Sequence, residues 1–267
     1  MVKLWYNYYN KREEIFMRLI VTDLDGTLLR SDKSVSARTV EAFKRCKEKG
    51  ILIGFASSRA ASAMTRFIDA INPDFLIASG GATVSVGGNI IHESFISEES
   101  VKKILSMSLG FTGGTGQISL DCADGYYCNF IHTDPDRGAT AKYSDFVDFD
   151  TPCYKITSVL ERDEWVEQIL SECADCFYVS YTGEIWRKFA ARGADKGNAL
   201  RVICDHYGID ISNTVAFGDD CNDIEMLSAA GTAVAMGNAI DKVKEIADVV
   251  TDTNDNDGIA AWIESNI

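Results

Sequence analysis

Arg18-Leu19-Ile20-Val21-Thr22-Asp23-Leu24-Asp25-Gly26-Thr27-Leu28 is the stretch on which the fold turns. Leu19, Ile20 and Val21 are continuously apolar, the pattern of a central parallel strand buried on both faces. Two carboxylates follow at its carboxyl end, where open α/β sheets place their active sites. In extended chain alternate residues face the same way. Asp23 and Asp25 are therefore expected to point together while Leu24 turns back to the core. Gly26 lets the chain turn sharply.

Outward from this stretch, strands and helices alternate. Ser36 is a plausible helix N-cap, Val40 and Phe43 sit at helical spacing, and Gly50 marks a stop. Strands are expected at 51–56 and 75–78. The same texture returns late: a helix from Lys196 to Tyr207 closed by Gly208, a strand at 214–217, a helix at 223–230, a strand at 232–236 and a short one at 247–250. Such alternation is the mark of βαβ units on a parallel sheet. The middle, about 84 to 190, differs. It holds alternating stretches at 117–120 and 126–130 and a helix-like one at 163–174, and reads as an α+β insertion between two halves of one α/β domain.

The bulk composition narrows the function classes. The chain has 267 residues with 46% apolar and 25% charged, an ordinary globular mix. Its formal net charge is −14 with no Lys/Arg cluster, which argues against nucleic acid or an anionic membrane surface as partner. A small anionic substrate needs only a local positive site. The eight cysteines are scattered, and Cys173 and Cys176 lack a second pair for zinc. They read as reduced, buried thiols of a cytoplasmic protein. No run reaches transmembrane length. Residues 1–16 read as an extension without catalytic role, with Met17 as the natural start.

Chemistry concentrates in four places. Two carboxylates as close as Asp23 and Asp25 repel unless a divalent cation compensates or one stays protonated as a general acid. Both states suit phosphoryl transfer, with one carboxylate attacking phosphorus and the other handling the proton. Gly218-Asp219-Asp220-Cys221-Asn222-Asp223 also follows a strand and opens a helix. Its oxygens suit Mg²⁺, with Asp219 as the direct ligand and Asn222 and Asp223 completing or orienting the shell. Lys196, at a helix start, can neutralise phosphate and keep a nucleophile ionised. Ser57-Ser58-Arg59 follows a strand, where a hydroxyl and backbone N–H groups can grip a phosphoryl oxygen. Each motif alone has a plainer reading: a solvated turn, a surface lysine, a helix cap, an acidic loop. Four of them at four element ends can converge on one pocket.

With these motifs the chain resembles the haloacid dehalogenase superfamily, specifically Cof-type hydrolases of subclass IIB. The resemblance runs from about residue 17 to 267 and rests on Asp-Leu-Asp-Gly-Thr-Leu-Leu and Gly-Asp-x-x-Asn-Asp-x-x-Met-Leu. It implies a Rossmann-like core with a parallel sheet, residues 17–83 and 191–267, and an inserted α+β cap at 84–190. It implies Asp23 as nucleophile, Asp25 as acid/base, Ser57 on the phosphoryl group and Lys196 bridging that group to Asp23. Mg²⁺ would be held by the Asp23 side chain, the Asp25 carbonyl and Asp219. Ser57, Ser58, Arg59, Gly81 and Asn222 would touch substrate, a small phosphorylated metabolite such as a sugar phosphate. Two departures stand out: Ser57-Ser58-Arg59 where Thr-Gly-Arg is usual, and Gly80-Gly81-Ala82 where Asn-Gly-Ala is common. A phosphomutase and a non-catalytic phospho-ligand sensor are the rival readings. Tyr126, Tyr127, Asn129, His132 and Arg137 are cap candidates for the leaving group.

Overall fold

The computed structural model describes residues 18–131, 141–180 and 185–267. The readings of residues 1–16 and Met17, and of His132 and Arg137, lie outside them.

The chain opens with β1 (Leu19–Thr22), whose side chains are all buried. It continues through α1 (Ala37–Glu48), β2 (Leu52–Ala56), α2 (Thr65–Ile71), β3 (Phe75–Ala78), β4 (Thr83–Val86) and β5 (Asn89–Glu93). Ser36 caps α1, its Oγ accepting the Thr39 N–H at 3.0 Å. That bond satisfies one of the amide donors a helix start leaves without partners. An excursion follows: α3 (Glu98–Phe111), β6 (Ile118–Cys122), β7 (Gly125–Cys128), β8 (Ala141–Tyr143), β9 (Cys153–Val159), α4 (Asp163–Glu172), β10 (Cys176–Ser180) and β11 (Trp186–Ala191). The chain then returns through α5 (Lys196–Tyr207), β12 (Thr214–Gly218), α6 (Ile224–Ala229), β13 (Thr232–Ala235), α7 (Asp241–Ile246), β14 (Val249–Val250) and α8 (Gly258–Asn266).

The first sheet has eight strands in the order β14-β13-β12-β1-β2-β3-β4-β5. The run from β14 to β3 is parallel, whereas β4 and β5 are antiparallel additions. The core thus has the expected parallel sheet, extended at one edge by an antiparallel hairpin. Strand order reverses between β1 and β12, the kind of switch point at which α/β sheets open a crevice. The β4–β5 hairpin carries the first sheet past residue 83, and on that pairing we propose that the inserted unit starts after Glu93.

The second sheet has six strands in the order β10-β11-β9-β6-β7-β8. Side chains alternate across a strand, so register assigns its faces. Leu120, Ile156 and Phe189 are cross-strand neighbours and pack with Ile104, Val166 and Ile169 of the helices. Asp121, Lys155, Ala190 and Phe177 form the neighbouring row on the opposite face. No helix among the described residues is long and apolar enough to cross a membrane.

Candidate active site

Asp23 sits immediately after β1, 4% exposed, its backbone N–H bonded to the Phe217 carbonyl at 3.0 Å. Leu24 is fully buried, as alternation predicted, and a Leu so placed contributes about 1.5–3 kcal/mol. That anchor sets the direction in which the turn presents its two acids.

Lys196 begins α5, with Asp195 as its N-cap. Its Nζ donates to Asp23 Oδ1 and to Asp223 Oδ1, both at 2.6 Å, and its side chain is 1% exposed. An ammonium so deeply buried is tolerable only when paired and hydrogen-bonded. Burial alone would lower its pKa; Asp223 and Asp23 overcome that and hold it above the ordinary lysine range. Asp223 Oδ2 accepts the backbone N–H groups of Asp219 and Asp220 at 2.9 and 3.1 Å. Asp223 therefore ties Lys196 to the loop that carries Asp219. Thr27 donates to Asp219 Oδ1 at 2.6 Å. Gly26 has φ +83°, and a Cβ there would stand 2.2 Å from Asp219 Oδ2. Glycine is required at this position both by conformation and by space.

Asp23, Asp219 and Asp223 each offer a carboxylate oxygen within 4.8 Å of the others. Three carboxylates face one ammonium in a buried setting. Burial, then the neighbouring Asp223, pushes Asp219 up to about 7. Burial, with Asp223 and Asp219 adding to it, also raises Asp23, against the pull of Lys196. Acids raised in this way mark a cluster short of positive charge, and an all-oxygen donor set suits a hard divalent cation.

Asp25 stands apart from this cluster. Arg59 grips it through Nε at 2.6 Å and a terminal nitrogen at 2.8 Å, and Lys33 adds a bond at 2.8 Å. Burial would raise its carboxyl, but these hydrogen bonds from Arg59 and Lys33 hold it well below the usual carboxylate range. Arg59, expected at the substrate, is placed against Asp25 by these bonds.

Ser57 is 2% exposed, and its Oγ accepts the Arg59 N–H at 3.2 Å. The helix expected to open at this serine starts later, with a short 3₁₀ turn at Ala61–Met64 before α2. Ser58 Oγ accepts Asn222 Nδ2 at 3.1 Å, joining the loops after β2 and β12. Gly81 has φ +111°, and a Cβ there would lie 2.2 Å from the Asp195 backbone. It makes room for the return from the second sheet.

An open cleft lies between the sheets. Ser58, Lys196 and Asn222 line it from one side, and Lys155, Phe177 and Lys188 from the other. Asn129 bonds Gly116 and Ile118 of its own unit, and Tyr127 bonds Asp124. Neither these two nor Tyr126 is among the cleft residues, whereas Lys155, Phe177 and Lys188, which the sequence reading missed, are. A usable signal was present: Lys155 interrupts Cys153-Tyr154-Lys155-Ile156 at a strand position among buried neighbours.

Comparison with known proteins places this geometry. A family model described as haloacid dehalogenase-like hydrolase matches residues 20–263. The chain is 28% identical to the 5-amino-6-(5-phospho-D-ribitylamino)uracil phosphatase YwtE of Bacillus subtilis, over 93% of this chain and 97% of that protein. It is 30% identical to phosphatase YwpJ of the same organism, over 91% and 98%. Among solved structures, BT1666 of Bacteroides thetaiotaomicron, a phosphatase of the haloalkanoate (HAD) superfamily, superposes with TM-score 0.82. Identity there is 27%, over 96% of this chain and 97% of that one.

Proposed function

The chain belongs to the haloacid dehalogenase-like hydrolases of Cof type, a phosphoryl-transfer family, and on that footing we propose that it hydrolyses a small phosphate monoester through an aspartyl-phosphate on Asp23. The observation that carries the reading is the Lys196 ammonium, 2.6 Å from both Asp23 and Asp223. It draws the buried Asp23 carboxyl toward its ionised form, against the burial that raises it, and through Asp223 holds the Asp219 loop beside it.

Asp23 Oδ1 is taken by Lys196, while Oδ2 accepts no hydrogen bond among the described residues. Oδ2 is the atom we assign to attack on phosphorus, with the leaving alkoxide taking a proton from Asp25. A water then gives its proton to Asp25 and attacks the phosphorus, releasing inorganic phosphate and restoring Asp23. The clamp of Arg59 and Lys33 favours the ionised Asp25 that receives the water proton. Donation to the leaving group needs that carboxyl to swing free and be protonated. Ser57 Oγ and the nearby backbone N–H groups would stabilise charge on the equatorial oxygens.

The cation we assign is Mg²⁺, held by the Asp23 and Asp219 side chains and the Asp25 carbonyl, with Asp223 fixing the loop. When bound it would neutralise charge on the phosphoryl oxygens. Sugar phosphates and comparable metabolites are the substrate class we assign, in keeping with the phosphoribityl compound in the name of the relative YwtE. A cytoplasmic setting is in keeping with such a substrate and with eight free cysteines.

The test is Asp23→Asn assayed with aryl and sugar phosphates in the presence of Mg²⁺. Turnover is expected to vanish while the circular dichroism and melting profile stay native. A folded, active Asp23→Asn protein would refute the assignment. Release of inorganic phosphate without transfer to a second sugar separates hydrolysis from mutase chemistry.

A further inference from the structure

Lys155 lies on β9, on the face of the second sheet that looks toward the cleft. It is 7% exposed and forms an ion pair with Asp121, its cross-strand neighbour, at 2.7 Å. Both members reach out of their own unit. Lys155 Nζ donates to the backbone carbonyl of Ser58, and Asp121 Oδ2 accepts from Ser79 Oγ at 3.3 Å. Asp121 is itself 5% exposed and Ser79 3%. One buried pair thus touches two loops of the first sheet, those following β2 and β3.

Those two loops are already laced together. The Ser79 N–H donates to the Arg59 carbonyl at 2.8 Å and the Gly80 N–H to the Ser57 carbonyl at 2.9 Å. Ser58 is also tied through its hydroxyl to Asn222. Ser58 therefore receives one bond from the inserted sheet and one from the Asp219 loop, flanked by the serine and arginine proposed for phosphate and acid positioning. The hydroxyl bond belongs to this chain's serine and cannot be made by the glycine usual at that place.

Stability alone is a poor reason for such a pair. Taking two charges out of water costs more than a well-packed apolar pair would. We propose that Lys155 is a positioning residue: seating of the inserted sheet brings its ammonium onto the Ser58 carbonyl and fixes the Ser57–Arg59 loop for phosphoryl transfer. Asp121 keeps that ammonium oriented and adds the second hold at Ser79. The kinetic half of the proposal rests on the hydrolase reading above; the structural half does not.

The experiment uses the full chain with Lys155→Met, Lys155→Arg and Asp121→Asn. Hydrogen–deuterium exchange at the Arg59, Ser79 and Gly80 amides is read beside kcat and KM for p-nitrophenyl phosphate and a sugar phosphate. Lys155→Met is expected to speed exchange at these amides. It should lower kcat on the order of 100-fold with a smaller change in KM, the scale of loss when reacting groups are slightly misplaced. Lys155→Arg should restore part of both. Wild-type exchange and wild-type kcat in a folded Lys155→Met protein would overturn the proposal. If Lys155→Met does not fold, Lys155→Arg and Asp121→Asn carry the same two readouts, and unchanged values in both overturn it equally. If no variant or parent hydrolyses any phosphate, yet exchange rises in Lys155→Met, the hydrolase reading fails and the coupling between sheet and loop stands.

Discussion

Asp219 shows how one residue records its surroundings. Its carboxyl stands at about 7, above its ordinary 3.8, so the folded chain holds a proton there that the unfolded chain releases. Stability follows the state that binds more protons. Without divalent cation, this group makes the fold less stable as pH rises from about 4 to about 7, and adds no slope beyond that. Melting curves in chelator across that range should show the decline, and Asp219→Asn should flatten part of it. Mg²⁺ at a hundred times its dissociation constant should raise stability by about 2.7 kcal/mol, a gain that Asp219→Asn removes. Gly26→Ala faces both a positive φ and a clash with Asp219, so a loss of about 1–3 kcal/mol and of metal response is expected. Calorimetry with and without Mg²⁺ checks both variants. At this scale the sequence was legible where chemistry coincides with an element end, as for Asp23, Lys196 and Asp219. The partners that hold them were not. Thr27 meets Asp219 across 192 positions, and Arg59 meets Asp25 across 34. No local pattern announces a pairing set by where strands lie in a sheet.

Elements were legible in proportion to their local signals. α5 was read to its end residues because Asp195 caps it and Gly208, with φ +63°, closes it. α1 shows the same logic, and its cap offers a test away from the site. Ser36→Ala should cost about 1 kcal/mol, visible as a lower melting temperature, with kcat unchanged. The start of the helix expected at residue 223 was blurred for a physical reason. Asp220 and Asp223 form a reciprocal cap on a 3₁₀ turn at Cys221–Asp223, so the α-helix starts only at Ile224. The β4–β5 hairpin escaped because antiparallel addition to a parallel sheet leaves no βαβ signature. α8 went unread although Ile259, Trp262 and Ile263 all face the core. Its start at Asp257, with φ +58°, carries no side-chain cap.

For the molecule as a whole, the interruption of one α/β pattern by a different texture was the informative feature; it pointed to an α+β insertion, and the strands pair in two sheets. What texture could not forecast was how the sheets meet, since that depends on side chains such as Lys155 on the outer face of a strand. The second sheet has its own hydrophobic cluster, including Ile104, Leu120, Ile156, Val166 and Phe189. Residues 94–195 expressed alone should therefore fold, giving a cooperative melt and dispersed amide resonances. A featureless chain would show that this cluster needs the first sheet as support.

The position of β1 has a consequence for the order in which the protein can mature. Leu19, among the first residues of the described chain to leave the ribosome, pairs with Leu52 on one side and Thr214 on the other. Domains assemble during synthesis as their segments emerge, yet this strand keeps one edge open until some 160 further residues beyond Leu52 have been made. Asp23, the nucleophile we propose, follows that strand, and Lys196, Asp219 and Asp223 arrive on the same late segment. On the proposed function, a nascent chain or one cut short before that segment is expected to release no phosphate, so premature termination would yield inert rather than unregulated protein.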